Sequence, residues 1–170
     1  MRFDWYQATI PENPIVLVET LKAALAPDGE VIQGRGRHNY HQSFRVRDVR
    51  GERVAEVLAG GPNGHPNATA SGLATEGFVK VVREAWPEHR VTRFDAAEDL
   101  AQKGAFEGLE AVCRGLAKEL GVKGRAIVPD DPTEGRTYYL GAATSDNRVR
   151  LYDKTAETRA KLPPERHAEV

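Results

Sequence analysis

Arg148, Arg150, Tyr152 and Lys154 alternate through the run R-V-R-L-Y-D-K. On an extended strand, side chains two apart share a face, so these four would stand together while Val149, Leu151 and Asp153 take the other side. Cations beside a phenol lower the cost of its phenolate form. The same cations would hold a phosphodiester and stabilise the charge that develops as phosphorus is attacked. A tyrosine in that position can form a phosphotyrosyl intermediate. The alternative is a half-buried strand tyrosine with solvated arginines beside it.

A second stretch, V-T-R-F-D-A-A-E-D-L, carries carboxylates with strand spacing. Read as extended, it puts Arg93, Asp95, Ala97 and Asp99 on one side. Two carboxylates separated by alanine suit a hard divalent cation, Mg2+ or Mn2+, because such ions prefer oxygen ligands and alanine leaves room for bound water. Phe94, Ala96 and Ala97 suggest a sheet interior, where unpaired carboxylates are costly. The competing reading is a solvated strand end.

A third group is basic: Arg35, Arg37, Arg45, Arg47, Arg50 and Arg53, interleaved with His38, Tyr40 and His41 and offset by Asp48 and Glu52. Arginines and aromatics on a hairpin suit phosphate contacts and base stacking. An ordinary charged edge strand would look similar. His38-Asn39-Tyr40-His41 is a poor metal motif, since residues three apart on a strand face opposite ways. Gly60-Gly61-Pro62-Asn63-Gly64 lacks the lysine and following helix of a nucleotide-phosphate loop.

The elements that must position these groups are legible from pattern. Arg2 to Ile10 reads as a strand, and Asn13-Pro14 as the N-cap and first turn of a helix whose Ile15, Val18, Leu21 and Leu25 face inward. Glu30 to Gly60 alternates and breaks at Asp48 to Glu52, as a strand and hairpin would. A helix is expected from Thr75 to Trp86. A third carries Phe106, Leu109, Val112, Cys113, Leu116 and Leu120 on one face and ends before Gly121. Strands close the chain near Arg125–Val128, Thr137–Leu140 and Arg148–Lys154. Arg2-Phe3-Asp4 is echoed by Arg93-Phe94-Asp95, which suggests duplicated βαβ-type halves sharing one sheet. The expected class is α+β, with a mostly antiparallel central sheet and about three packed helices.

The totals exclude several classes. With 170 residues, 40% hydrophobic and 29% charged, the chain has the composition of a single globular domain, and its formal net charge of −1 leaves DNA binding to a local basic strip. One cysteine, Cys113, excludes an internal disulfide framework and a thiolate zinc site, and its place in the apolar stripe makes it core. The longest apolar run is too short to span a membrane and no signal-peptide core follows the first residues, so the chain reads as cytoplasmic.

Five short motifs in order, D-W-Y near the start, S-G-L-A at 71–74, R-F-D-A-A-E-D at 93–99, T-Y-Y-L-G-x-x-x-S and R-L-Y-D-K-x-x-E, resemble the plasmid and phage rolling-circle replication initiators that use a metal and a tyrosine. Conjugative relaxases share the pattern. The resemblance implies a DNA endonuclease and strand transferase spanning 1–157, with a charged tail over 158–170. It implies Tyr152 as nucleophile, with Tyr138 and Tyr139 as alternatives, and Asp95, Asp99 and Asp4 as metal ligands. Arg148, Arg150 and Lys154 would position phosphate with Glu157 as helper, and Arg35, Arg37, Arg45, Arg47, Tyr40 and Arg93 would bind DNA. The implied partners are an origin hairpin with a single-stranded nick site, a second copy of the chain and a host helicase. Relatives continue beyond the Y-D-K-x-x-E motif, so this chain reads as truncated at its C-terminus. A DNA-binding remnant that no longer nicks, or a mobilisation relaxase, are the alternatives.

Overall fold

The computed structural model describes residues 2–100, 102–131, 135–145 and 147–154. They fall into two compact units, Met1–Asp99 and Leu100–Val170. The first contains β1 (Arg2–Thr9), α1 (Pro14–Leu25), β2 (Glu30–Arg35), β3 (Gln42–Arg47), β4 (Arg53–Ala59), β5 (Asn67–Ser71), a short 3-10 turn (Gly72–Ala74), α2 (Thr75–Ala85) and β6 (Arg90–Ala97). The second contains α3 (Ala105–Glu119), β7 (Gly124–Ile127), β8 (Thr137–Leu140) and β9 (Val149–Tyr152). The class is α+β, and the strand pairs are antiparallel.

The shared sheet expected of duplicated halves is not formed. Six strands in the order β2-β3-β4-β5-β1-β6 make one sheet, and β7-β8-β9 make another. The echoed triplets instead lie side by side: β1 and β6 are antiparallel neighbours, with the Phe3 and Phe94 rings edge-on at 6.4 Å.

Local chemistry explains the elements of the first unit. Asn13 caps α1 through a 2.9 Å bond from the Ile15 amide to Oδ1, and Pro14 occupies the first turn. Leu17, Val18 and Leu21 of α1 are buried, whereas Ile15, expected inside, is more than half exposed. Asp48 closes the β3–β4 hairpin by accepting from the Arg50 and Glu52 amides, and Gly51 takes the positive φ that the turn needs. Gly29 is required because the Arg47 carbonyl oxygen lies 2.0 Å from where a Cβ would stand. The core is built by Tyr6 and Ala8 of β1, Ile10 just past its end, the alternate residues of β3, β4 and β5, and Phe78, Val79 and Val82 of α2.

Strand β5 was not evident in the sequence. N-A-T-A-S lacks bulky β-branched residues, yet it is a buried central strand whose Ala68 and Ala70 belong to the core. In contrast, β6 lies at the sheet edge, and Phe94 is 60% exposed. The sheet-interior environment expected around Asp95 is therefore replaced by an edge, where carboxylates remain hydrated. Beside β6 lies a cavity of about 670 Å3 lined by Phe3, Val79, Lys80, Arg83 and Ala96.

In the second unit, α3 packs Cys113 and Ala117 toward the sheet, and Arg114 stacks on Tyr138 at 5.0 Å. The stripe expected on one face is split. Phe106 is half-buried and Cys113 buried, but Leu109, Val112, Leu116 and Leu120 are exposed. Gly121, at positive φ, follows the helix end as expected.

One part-buried pair in the first unit gives a pH expectation. The Tyr6 hydroxyl and His89 Nε2 are 2.8 Å apart, and His89 Nδ1 is 2.7 Å from the Trp86 carbonyl. A carbonyl can only accept, so Nδ1–H donates to it and Nε2 of the neutral ring accepts from the phenol. Burial raises the Tyr6 phenol above its usual value, with Arg83 partly opposing. The folded pKa is thus higher than the unfolded one. This stabilisation is complete below the unfolded pKa, about 10, and is lost as pH rises through the folded value. Burial pushes the Cys113 thiol up as well, with the same sign. Melting temperatures measured from pH 8 to 11 should therefore fall more steeply for wild type than for Tyr6→Phe at the alkaline end. Parallel curves would exclude Tyr6 as the source.

Candidate nucleic-acid interface

The three-stranded sheet separates its side chains by alternation. Tyr138 is buried on the face that meets α3, and Arg136 on that same side stacks on Phe106 at 4.9 Å and pairs with Glu107 and Glu110. The opposite face carries Tyr139, which is paired across the strands with Arg125 on β7 and Arg150 on β9. Thr137 lies opposite Tyr152 on that face. The Arg150 guanidinium lies over the Tyr152 ring at 4.6 Å, and that of Arg148 over Tyr139 at 3.7 Å. Two tyrosines and three arginines thus occupy one sheet face. Tyr152 and all three arginines are exposed, and Tyr139 is half-buried.

The sequence expectation for this strand needs adjustment at its ends. β9 is Val149–Tyr152, so Arg148 and Lys154 lie outside it and alternation does not place them. Arg148 reaches the shared face through its stack on Tyr139. Lys154 lies two residues past the end of β9, and Glu157 lies outside the described residues. The sequence singles out Tyr139 only as an alternative nucleophile and does not single out Arg125. The signal was available only through pairing, because β7 is separated from β9 by more than twenty residues.

The six-stranded sheet has its own polar face, on the side opposite α1 and α2. One cross-strand row runs Ile32, Arg45, Glu56, Thr69, Gln7 and Arg93. Glu56 is only 2% exposed and is ion-paired with Arg37, Arg45 (3.6 Å) and Arg53 (3.4 Å). Three guanidinium groups against one carboxylate leave two positive charges in surplus, and each arginine keeps part of its side chain in water. The basic cluster read from sequence is therefore partly a structural clamp. Glu56, its centre, was overlooked because an acid within a β-strand run gives no sign of its burial. Tyr40 packs its ring over Gly61, and the loop tip before it holds His38 and Asn39 in the left-handed region. Arg35 and Arg47 lie on strands β2 and β3, and the Arg47 Nε is buried without a hydrogen-bond partner.

At the β1–β6 end, Trp5 is paired between Ser71 and Asp95, so D-W-Y, S-G-L-A and R-F-D-A-A-E-D meet on adjacent strands. Asp4 is the extra residue of a β-bulge between Phe3 and Trp5, a device that re-aims side chains and recurs near functional sites. Asp95 accepts from Arg93 at both oxygens, Nε–Oδ1 3.0 Å and Nη2–Oδ2 2.5 Å, and Arg93 also stacks on Trp5 at 4.8 Å. The bond to Asp95 raises the Arg93 pKa further. Arg2 joins Asp99 at 3.0 Å and Asp4 at 4.0 Å. Asp99 lies two residues past the end of β6, so strand alternation does not put it beside Asp95. These are the carboxylates expected to hold a divalent cation. Arginines engage them, and among the described residues no three His, Cys, Asp or Glu side chains are gathered for an ion.

No protein-family model matches the chain, and no curated protein matches it. The fold itself defines a class: an α+β protein with a helix-backed antiparallel sheet and a smaller three-stranded sheet. Among solved structures it is similar to the rolling circle replication initiator protein from Geobacillus stearothermophilus. The two are 20% identical with a TM-score of 0.60, over 92% of this chain and 68% of that one. At that identity the likeness is one of fold.

Proposed function

We propose that this chain is the nicking domain of a rolling-circle replication initiator, with DNA as its substrate. The observation that carries the reading is the gathering of the five motifs into two clusters on adjacent strands, three beside Trp5 and two on the face bearing Tyr152. Similarity of fold to a rolling circle initiator supports it.

In this reading the Tyr152 oxygen attacks a backbone phosphorus. The phenol gives up its proton as the new O–P bond forms and the bond to the 3′ oxygen breaks, and the departing oxygen gains one proton, by way of solvent, to become the 3′ hydroxyl primer. The protein stays on the 5′ phosphate. Arg150, stacked on the nucleophile's ring, and Arg148 would counter the charge on the equatorial oxygens. The surplus charge around Glu56, with Arg35, Arg47 and Tyr40, would hold the flanking DNA. The same proposal extends to an origin hairpin as the target, and to a second copy and a helicase as partners. No described helix is long and apolar enough to cross a membrane.

A second reading, DNA binding without cleavage, is favoured by one observation: Asp95 and Asp99 are engaged by Arg93 and Arg2. Incubating the protein with supercoiled and single-stranded DNA plus Mn2+, then running a denaturing gel, separates the two. A covalent protein–DNA adduct supports the initiator. Salt-sensitive binding with no adduct supports the remnant.

A further inference from the structure

The face that carries Tyr152 has a second aromatic that the proposed reaction does not use. Tyr139 lies opposite Arg125 and Arg150, two residues along β8 from Thr137, which itself faces Tyr152. Tyr139 is therefore the diagonal cross-strand neighbour of Tyr152, with Cα atoms about 7–8 Å apart in such a pair. Its ring is half-buried, and the Arg148 guanidinium lies 3.7 Å from its centroid. The adjacent Tyr138 is sunk against α3 and cannot reach this face.

Resting on the reading of Tyr152 as the nucleophile, we propose that the Tyr139–Arg148 stack is a base-binding subsite for single-stranded DNA. It holds the nucleotide next to the phosphate that Tyr152 attacks. A fixed aromatic ring capped by a planar cation extends its flat surface outward, and both rings and guanidinium planes stack on bases. Arg125 and Arg150 flank the stack where a backbone would pass, so phosphates meet cations while the base meets the plane. The strand must be single, because bases within a duplex already cover one another's faces. The competing explanation is a surface cation–π pair that only steadies the sheet.

The test is the affinity of a fluorescent single-stranded oligonucleotide of about 12 nucleotides, a length matched to typical single-strand sites. Binding is measured at fixed salt for wild type, Tyr139→Phe and Tyr139→Leu, with a duplex of the same sequence in parallel. Loss of one stacked base predicts about 5- to 100-fold weaker single-strand binding for Tyr139→Leu. Tyr139→Phe should stay within about twofold of wild type, and duplex binding should hardly change. Arg148→Lys, which keeps the charge but removes the plane, should weaken single-strand binding several-fold. It also serves as the second probe if Tyr139→Leu does not fold. Wild-type affinity in both Tyr139→Leu and Arg148→Lys, or equal losses on single strand and duplex, overturns the subsite. If the wild type itself binds no single-stranded DNA, the underlying site reading fails and the subsite fails with it.

Discussion

Tyr152→Phe should abolish covalent attachment to DNA, lowering adduct yield by roughly 10^4-fold or more, as removal of a nucleophile does elsewhere. Binding should survive, because Arg125, Arg148, Arg150 and the Tyr139 ring all remain in place. The substitution removes one oxygen from an exposed position and leaves the ring on which Arg150 stacks, so the β8–β9 pairing has no reason to change. The measurement is a denaturing gel of labelled DNA, with anisotropy to confirm binding. A persistent adduct in Tyr152→Phe that disappears in the double variant with Tyr139→Phe would move the nucleophile one strand over. Tyr138 is a poor substitute in either case, buried as it is against α3.

Glu56→Ala should destabilise the first sheet strongly. The carboxylate is almost fully buried in the middle of three arginines, and removing it leaves their mutual repulsion uncompensated. Loss of one partner from a fully buried pair costs about 3–5 kcal/mol, but these arginines retain access to water, so about 2–3 kcal/mol is expected. For a unit of this size that is a drop in melting temperature on the order of 10 °C or more. Glu56→Gln should cost less, since its amide oxygen can still accept from a guanidinium. DNA affinity at low salt should hold or rise in both variants, because the local positive surplus increases by one. A variant that keeps its stability would show that the three arginines do not depend on the acid. One that keeps its fold yet loses DNA binding would place Glu56 in the interface itself.

Much of this arrangement is legible in the sequence. Asn13-Pro14 announces α1, Gly121 the end of α3, and the alternation in R-V-R-L-Y-D-K the strand that carries Tyr152. The local signals succeed because caps, turns and alternation are set by neighbours in the chain. Most of the differences concern which strands meet and where they end. Asp95 and Phe94 read as interior because their composition is that of a central strand, but among the described residues no strand pairs beyond β6 in its sheet. β5 escaped notice because a central strand beneath helices can be built from alanine, where close packing replaces bulk. Asp99 was placed beside Asp95 by extending a strand two residues too far. Glu56 and Tyr139 acquire their surroundings only through registers with β3 and β9, which no local pattern specifies.

The two units differ sharply in how much they bury. The first holds a continuous core from Tyr6 to Val82, whereas Cys113 and Tyr138 are the buried hydrophobic side chains among the described residues of the second. The helix behind that second sheet also carries Gly108 and Gly115 in its interior, each weakening it by about 1 kcal/mol relative to alanine. Opening free energies within a protein follow such differences, and thinly packed segments fluctuate as separate cooperative units. The proposed nucleophile therefore rides on the softer part of the molecule. A strand entering the Tyr152 face would meet a surface that can still adjust, and part of the binding energy would be spent in stiffening it. Burial is concentrated instead where Glu56 and its arginines sit, so in the proposed reaction the first sheet would stay fixed while the Tyr152 ribbon adjusts to the strand it holds.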